Sequence, residues 1–194
     1  MNVVVKNAMI LDGSNQEDRA AKMARDAVQV ELEKMGISVS CTVLQDISIA
    51  PCKGCLKCWT KTPGDCIIND AQTRIYSEMA RSDLIILVTP ITFGGYSSEL
   101  KKSLDRFIPD LLPFFKKFGS EIHHPVRYGN GWRLLGLGTL PGPSEVKERI
   151  FRDLVEHNSR NMHSPRQGSV VLYKDATAEE VTLLAVNGLK KVVA

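Results

Sequence analysis

The chain has 194 residues, of which 43% are hydrophobic and 24% are charged, and its formal net charge is +3. This length and apolar content support one complete core, so we expect a single domain over residues 1–194, and the nearly balanced charge argues against a nucleic-acid partner. No apolar run approaches the length of a membrane span and the N-terminus lacks a leader pattern, so we expect a cytoplasmic protein with no membrane partner.

The first part of the chain predicts two strands around an amphipathic helix. Residues 3–11 are predicted as the first strand, and the polar residues 12–15 as the turn that follows it. Apolar side chains then recur at helical spacing from Ala20 to Met35, and Gly36 is the expected C-terminal cap of this helix. Residues 37–44 are predicted as the second strand.

A cysteine-rich loop at about residues 45–69 follows. Loops of this length in compact domains tend to be functional, and clustered cysteines in a reducing compartment indicate metal or redox chemistry. The first three cysteines recur every third residue, as in runs that hold three irons of a cubane cluster, with the fourth placed as the remaining ligand. A zinc site fits the spacing less well, and free thiols or one labile disulfide remain the alternative. The candidate metal ligands are Cys52, Cys55, Cys58 and Cys66.

The central element of the chain is the unbroken apolar run at residues 84–88, which is typical of a strand buried on both faces of a parallel sheet. A helix predicted at residues 70–82 precedes it, and a glycine loop at residues 89–96 follows it. Ligands of open α/β sheets lie beyond the carboxyl ends of the strands, so we expect this loop to hold a flat heteroaromatic ring. The next helix begins near Ser97 or Ser98 and carries Lys101, Lys102 and Arg106 on its expected solvated face.

An apolar insertion at about residues 109–131 comes next. It is predicted to be irregular, and it serves either as a subunit interface or as a cover for the domain's own core. The adjacent His123 and His124 within it are expected to face solvent or an interface.

The remaining pattern completes the fold class. Residues 132–140 and 169–173 are predicted as the fourth and fifth strands, with a helix after Ser144 and a last helix over residues 177–193. Alternation of strands and helices predicts an α/β, three-layer, doubly wound parallel sheet of five strands. The flavodoxin-like strand order 2-1-3-4-5 would place a ligand between the loops that follow strands one and three.

Two runs of the sequence resemble a known family. The run from Cys52 through Cys66 to Asp70 and the run Thr89-Pro-Ile-Thr-Phe-Gly-Gly-Tyr through Arg106 resemble flavodoxin-like NAD(P)H-dependent FMN reductases, and the cysteine pattern is similar to their iron-sulfur flavoprotein branch. The resemblance is good over residues 37–106. It implies a noncovalent FMN, NAD(P)H as the donor, a small acceptor such as a quinone or flavin, a [4Fe-4S] cluster as an option, and a homodimer or homotetramer.

The resemblance also implies a set of flavin-binding residues, with no side chain needed as a catalyst. The loop after strand three matches the family's ring-binding loop, and Thr139, Pro141 and Gly142 match a second ring-side loop loosely. We expect Gly94→Val to abolish flavin binding because the branched side chain would fill the ring space. The residues predicted to bind flavin are Ser14, Asn15, Thr89, Pro90, Thr92, Phe93, Gly94, Gly95, Thr139 and Gly142.

The phosphate loop is where the chain departs from the family pattern. Relatives commonly read Gly-Ser-Pro-Arg followed by small residues, whereas here Gly13 and Ser14 lead to Glu17 and Asp18. A helix N-terminus attracts phosphate, but a carboxylate about 5 Å from each phosphate charge would cost about 3 kcal/mol per pair at an effective dielectric near 20. Both acidic side chains are therefore expected to point outward if FMN binds.

Three functions are compatible with these observations. The first is an FMN-dependent oxidoreductase that passes electrons from NAD(P)H to a flavin, quinone or other small acceptor, with a cluster as an optional relay. The second is a flavin-free flavodoxin-like module that uses its cysteine loop for metal binding or thiol redox switching, which the acidic first loop favours. The third is a dedicated electron carrier. Such carriers are usually acidic, so the net charge of +3 is weak evidence against this function.

Overall fold

The computed structural model describes residues 4–129 and 131–194. Over this part of the chain, five parallel strands form one sheet, and a two-stranded hairpin lies outside it. The strands in chain order are β1 (Asn7–Asp12), β2 (Ser38–Val43), β3 (Leu84–Pro90), β4 (Lys116–Phe118), β5 (Glu121–His123), β6 (Arg133–Leu140) and β7 (Gln167–Tyr173). The helices are α1 (Arg19–Lys34), α2 (Lys57–Thr60), α3 (Gln72–Met79), α4 (Ser98–Leu104), α5 (Glu145–Asn161) and α6 (Ala178–Val193).

The predicted sheet order is confirmed. The order is β2-β1-β3-β6-β7, with every neighbouring pair parallel, which is the flavodoxin-like order when the five sheet strands are counted alone. The first strand begins at Asn7, and the backbone N–H groups of Lys6 and Asn7 donate to the carboxylate of Asp83. Val3, which the sequence placed in that strand, lies outside the described residues.

The buried strand β3 sits at the centre of two hydrophobic layers. Its residues from Leu84 to Val88 have no exposed surface. Side chains alternate along a strand, so Ile86 packs with α1 and α6 on one face, while Ile85 and Leu87 pack with residues of α3 and α5 on the other. Helices therefore cover both faces, as an apolar run in a parallel sheet predicts.

The ends of the long helices follow sequence signals. The N–H of Ile37 donates to Leu32 and that of Gly36 to Glu33, and Gly36 has a φ of 73°, so α1 ends in a Schellman motif. At the start of α6, Thr177 and Glu180 form a reciprocal capping box. None of the helices in residues 4–129 and 131–194 combines the length and apolar character needed to cross a membrane.

The insertion contains a structure that the sequence did not predict. β4 and β5 pair as an antiparallel hairpin, with Gly119 at a φ of 59° in the turn. Glu121 ties the hairpin to α5 because its carboxylate accepts from Arg160 at 3.0 Å. Three large apolar side chains in this region face outward and are about two-thirds exposed or more: Phe114, Phe115 and Ile122.

Candidate functional site

Two loops meet at the carboxyl edge of the sheet, after β1 and after β3. The N–H of Gly13 donates to the carbonyl of Val88 at 2.8 Å, and the Ser97 hydroxyl donates to the carbonyl of Gly13 at 2.7 Å. The N–H of Ser97 in turn donates to the Thr89 hydroxyl at 2.8 Å. A Cβ on Gly13 would lie 2.6 Å from the Ser97 Oγ, so only glycine allows this close approach. The predicted crevice is therefore a fixed junction in which Thr89 has a structural role.

The loop after β3 is built around a tight turn. Thr92 and Gly95 exchange two backbone hydrogen bonds of 2.9 Å, and the two residues between them, Phe93 and Gly94, have φ values of 52° and 86°. Positive φ at both central residues is the geometry of a type I′ turn. The turn holds the Phe93 side chain 96% exposed. An aromatic ring thus projects from the end of the central strand.

Gly94 faces α5. A Cβ at this position would lie 2.6 Å from the Cγ2 of Ile150. A Gly94→Val change would therefore strain the left-handed turn and push against Ile150. From the sequence we expect the valine to fill the ring space, but its side chain would first meet Ile150 of α5. A loss of flavin binding in this variant would therefore not show that the ring lies at Gly94.

The hydroxyl of Ser14 is turned toward the end of β1. Both the N–H and the hydroxyl of Ser14 donate to Oδ1 of the buried Asp12, at 2.8 and 2.6 Å. The other oxygen of Asp12 accepts from Arg25 at 2.9 Å. Asn15 is exposed, and its side-chain oxygen accepts from the N–H of Glu17. Of the two predicted donors in this loop, Asn15 is the one at the surface.

Asp18 is fully buried at the N-terminus of α1. Its Oδ1 accepts from the N–H of Ala21 at 3.1 Å, as an N-cap does. Its Oδ2 accepts from the Thr139 hydroxyl at 2.6 Å and pairs with the Lys174 ammonium at 3.2 Å. Glu17 is exposed, as FMN binding requires, whereas Asp18 points inward. The start of α1 already holds an anion that belongs to the chain itself.

The loop after β6 lies at the same edge of the sheet. The N–H of Ile91 donates to the carbonyl of Thr139 at 2.9 Å, which ties the two loops together. Thr139 is buried and its hydroxyl is engaged by Asp18, and Pro90 is half-buried. A Cβ on Gly142 would meet no atom of the described chain within 4 Å. This loop leaves open space at Gly142.

The four clustered cysteines line one small pocket, with a volume of about 30 Å³. Cys52 and Cys55 are exposed, Cys58 and Cys66 are half-buried, and all four are free thiols. Burial raises the pKa of the Cys58 thiol, and the neighbouring Cys66 adds to the effect. Among the described residues, no three potential ligands are arranged to hold a metal ion. The number and type of donors nevertheless fit a cubane cluster.

Arg106 positions the cysteine loop. Its guanidinium donates to the carboxylate of Asp70 at 2.5 Å and to the carbonyls of Ala50 and Ile68 at 3.1 and 2.9 Å. Burial lowers the pKa of Arg106, but hydrogen bonding to Asp70 and Cys66 outweighs it and the pKa is raised. The predicted exposure of Arg106 is wrong: the residue is 1% exposed because α4 ends at Leu104 and the chain turns away from the helical face.

Comparison with known proteins identifies the family. The family model described as NADPH-dependent FMN reductase matches residues 7–129. The chain belongs to the NADPH-dependent FMN reductase family.

Curated relatives of this FMN reductase family member are iron-sulfur flavoproteins. One from Methanocaldococcus jannaschii is 37% identical over 98 residues, which is 50% of this chain and 49% of the relative. Another from Methanosarcina thermophila is 31% identical over 87 residues, which is 45% of this chain and 44% of the relative. The chain spans about half the length of the curated relatives it matches.

Solved structures share the fold at low identity. An NAD(P)H:quinone oxidoreductase from Methanothermobacter marburgensis matches with a TM-score of 0.70 and 10% identity, covering 95% of this chain and 97% of that one. An FMN-dependent NADH-azoreductase from Bacillus anthracis matches with a TM-score of 0.64 and 12% identity, covering 97% of each chain. These likenesses show that this chain has the flavodoxin-like fold.

The family's cofactor fits one part of this site and not another. The exposed Phe93 and the open side of Gly142 suit a flat ring at the sheet edge. The Asp18 carboxylate lies at the start of α1, where a phosphate would bind. The groups that would donate to a phosphate there already donate to Asp18. Phe93 and Gly142 therefore offer open surface to a flat ring, whereas the buried Asp18 carboxylate leaves no free anion position at the start of α1.

Asp110 is a buried acid that the sequence reasoning missed. It is 1% exposed, and neither of its carboxylate oxygens has a hydrogen-bond partner among the described residues. Burial raises its pKa to about 7, and the opposing effect of Arg127 is smaller. The sequence feature that could have indicated this burial is that Asp110 is a lone acid within the apolar stretch that begins at Phe107.

An apolar cavity of about 390 Å³ lies behind the ring loop, between α4, α5 and the start of the insertion. Tyr96 lines it, and the amide of Asn158 donates to the Tyr96 hydroxyl at 3.0 Å. Burial raises the pKa of Tyr96 to about 12, so the phenol is neutral at physiological pH. The volume is in the range of small-ligand sites, and its walls come from sequence regions too far apart to predict together.

Proposed function

We propose that this chain is a flavin-dependent oxidoreductase that passes electrons from NAD(P)H to a small acceptor such as a quinone or a second flavin. The observation that carries the proposal is the turn Thr92–Gly95, which holds the Phe93 ring 96% exposed at the end of the central strand. Covering an exposed aromatic ring with a flat apolar surface removes both from water, which lowers the free energy of the complex. The family membership supports the same conclusion.

The chain's own residues bind and orient in this proposal. A bound flavin supplies the redox chemistry, which is the transfer of hydride and electrons between donor and acceptor. Phe93 covers one face of the ring, and the paired backbone bonds of Thr92 and Gly95 keep Phe93 in place. The junction of Gly13 with Ser97 fixes the two loops relative to each other, so the ring site is formed before the ligand arrives.

We also propose that the cysteine loop is the part of the chain that would hold a [4Fe-4S] cluster, which would supply one-electron chemistry. The names of the curated relatives support this, as does the number of thiols, since Cys52, Cys55, Cys58 and Cys66 all line one pocket. Arg106 would position the loop from beneath. A cluster at this site would extend two-electron chemistry at the flavin to one-electron partners.

The proposal is tested by turnover of NADPH and NADH with a quinone, in the presence of added flavin. We expect Phe93→Ala to lower kcat/KM about fivefold, because loss of an aromatic contact costs roughly 1 kcal/mol. The melting temperature should not change, since the ring contributes no core packing. Leu184→Ala, on the exposed side of α6, is the matched control and should leave the rate unchanged. Absence of any turnover in the wild-type chain would contradict the proposal.

A flavin-free module that uses the cysteine loop as a metal or thiol switch is the second candidate. The buried Asp18 favours it, because that carboxylate fills the anion position of the fold. This candidate predicts that the purified chain takes up neither FMN nor riboflavin, while the reactivity of Cys58 and Cys66 toward a thiol reagent changes with redox conditions or with added metal. Uptake of either flavin would contradict it.

A further inference from the structure

The start of α1 is an anion site that is filled from within. The donors on Asp18 are the N–H of Ala21, the hydroxyl of Thr139 and the ammonium of Lys174. These come from α1, β6 and the residue that follows β7, so three parts of the chain converge on one carboxylate. A backbone N–H, a hydroxyl and an ammonium are the groups that bind phosphate in proteins.

The position of this site within the fold is the one that a flavin phosphate needs. In the order β2-β1-β3-β6-β7, the ligand lies at the switch point between β1 and β3, and its phosphate lies at the N-terminus of the helix after β1. Asp18 is the N-cap of that helix and has no exposed surface. A phosphate could reach the three donors only if the carboxylate left them.

We propose that Asp18 stands in for the flavin phosphate, so that the crevice takes a flavin without a phosphate, of the riboflavin type, in preference to FMN. The inference rests on the proposed flavin-dependent function and specifies its ligand. A phosphate-free flavin places its ring against Phe93 and leaves the bonds of Asp18 intact. FMN brings a doubly charged group next to a buried carboxylate whose partners are already used, and the like charges repel.

Lys174 explains why the site would exclude a phosphate because of its charge. Its ammonium balances one carboxylate, and the side chain is 40% exposed, so solvent reaches this side of the network. If Asp18 is replaced by a neutral side chain, Lys174, Thr139 and the first turn of α1 become available to a phosphate. The same replacement should not affect riboflavin, because its ribityl chain is neutral and does not use these three donors.

The experiment compares the binding of riboflavin and FMN to the full chain, followed by quenching of flavin fluorescence. We expect the wild-type chain to bind riboflavin at least about tenfold more tightly than FMN. Asp18→Asn removes the charge that repels a phosphate and loosens the hold on Lys174, so it should tighten FMN binding by at least about tenfold and leave riboflavin binding within about threefold. Asp18→Ser, which retains an N-cap hydroxyl, should act in the same direction and serves if the asparagine variant does not fold.

Glu17→Gln is the matched control, because it removes one negative charge from the same loop at an exposed position. It should leave the ratio of the two affinities nearly unchanged. Tighter binding of FMN than of riboflavin by the wild-type chain would overturn the inference while supporting the flavin-dependent function, since Asp18 would then give way to the phosphate. Failure of the wild type and both Asp18 variants to bind either flavin would overturn both.

Discussion

At the scale of single residues, the buried carboxyl group of Asp110 has no hydrogen-bond partner on either oxygen among the described residues. A buried acid without a hydrogen-bond donor is easier to accommodate in its neutral form, and burial accordingly raises the pKa of Asp110 from 3.8 to about 7. The folded state therefore binds this proton more tightly than the unfolded state does. The resulting stability is fully present below about pH 4 and is lost as the pH rises to 7.

Asp110→Asn should remove this pH dependence. Each pH unit between the two pKa values changes the free energy of unfolding by about 1.4 kcal/mol, so the variant should exceed the wild type at pH 8 by up to about 4 kcal/mol. Thermal melting at pH 5 and pH 8 measures the difference. Asp105→Asn, an exposed acid paired with Lys101, is the control and should change little at either pH. Equal pH dependence in the wild type and Asp110→Asn would contradict the argument.

At the scale of elements, the link between Arg106 and Asp70 connects the end of α4 to the cysteine loop. Asp70 also accepts from the N–H groups of Ala50 and Gln72, so both ends of the loop depend on one carboxylate. These contacts lower the pKa of Asp70 against the effect of burial. The geometry of the four cysteines therefore depends on an ion pair outside the cysteine motif.

Arg106→Met should destabilise the fold by about 3 kcal/mol, because it leaves Asp70 and two carbonyls without their partner. Urea denaturation measures the loss, and faster labelling of Cys66 by a thiol reagent reports loosening of the loop. Lys102→Met removes a more exposed ion pair on α4 and should cost less than about 1 kcal/mol. Similar losses in the two variants would show that Arg106 has no special role.

Several elements could be predicted from the sequence because local signals decide them. The strand at residues 84–88 is bounded by Asp83 and Pro90, and Gly36 ends α1 as its position predicts. The hairpin of β4 and β5 could not be predicted, because its strands have three residues each and no clear alternation. The direction of Asp18 depends on Thr139 and Lys174, which are distant in sequence, so no local pattern reveals it.

At the scale of the whole molecule, the exposed apolar side chains of the insertion suggest an assembly surface. Phe114, Phe115 and Ile122 project from the same region and are about two-thirds exposed or more. Apolar groups clustered in this way are typical of subunit interfaces. We propose that this surface joins two copies of the chain, in a homodimer or as part of a homotetramer.

Replacing both Phe114 and Phe115 by Asp should convert the assembly to monomers without lowering the melting temperature of the monomer core, because neither side chain is buried in the fold. Sedimentation equilibrium measures the change. Leu183→Asp alters an exposed apolar residue on α6 and should leave the oligomeric state unchanged. A wild-type chain that sediments as a monomer at all concentrations would rule out this surface as an interface.

The most direct test of the central claim is the visible absorption spectrum of the protein, purified without air and recorded before and after riboflavin or FMN is added. The proposed flavin site predicts a two-banded yellow spectrum that survives removal of free flavin and bleaches when NADPH is added. A broad brown absorption that dithionite bleaches would further indicate a cluster on the four cysteines. A chain that stays colourless and retains neither flavin would contradict the flavin-dependent function.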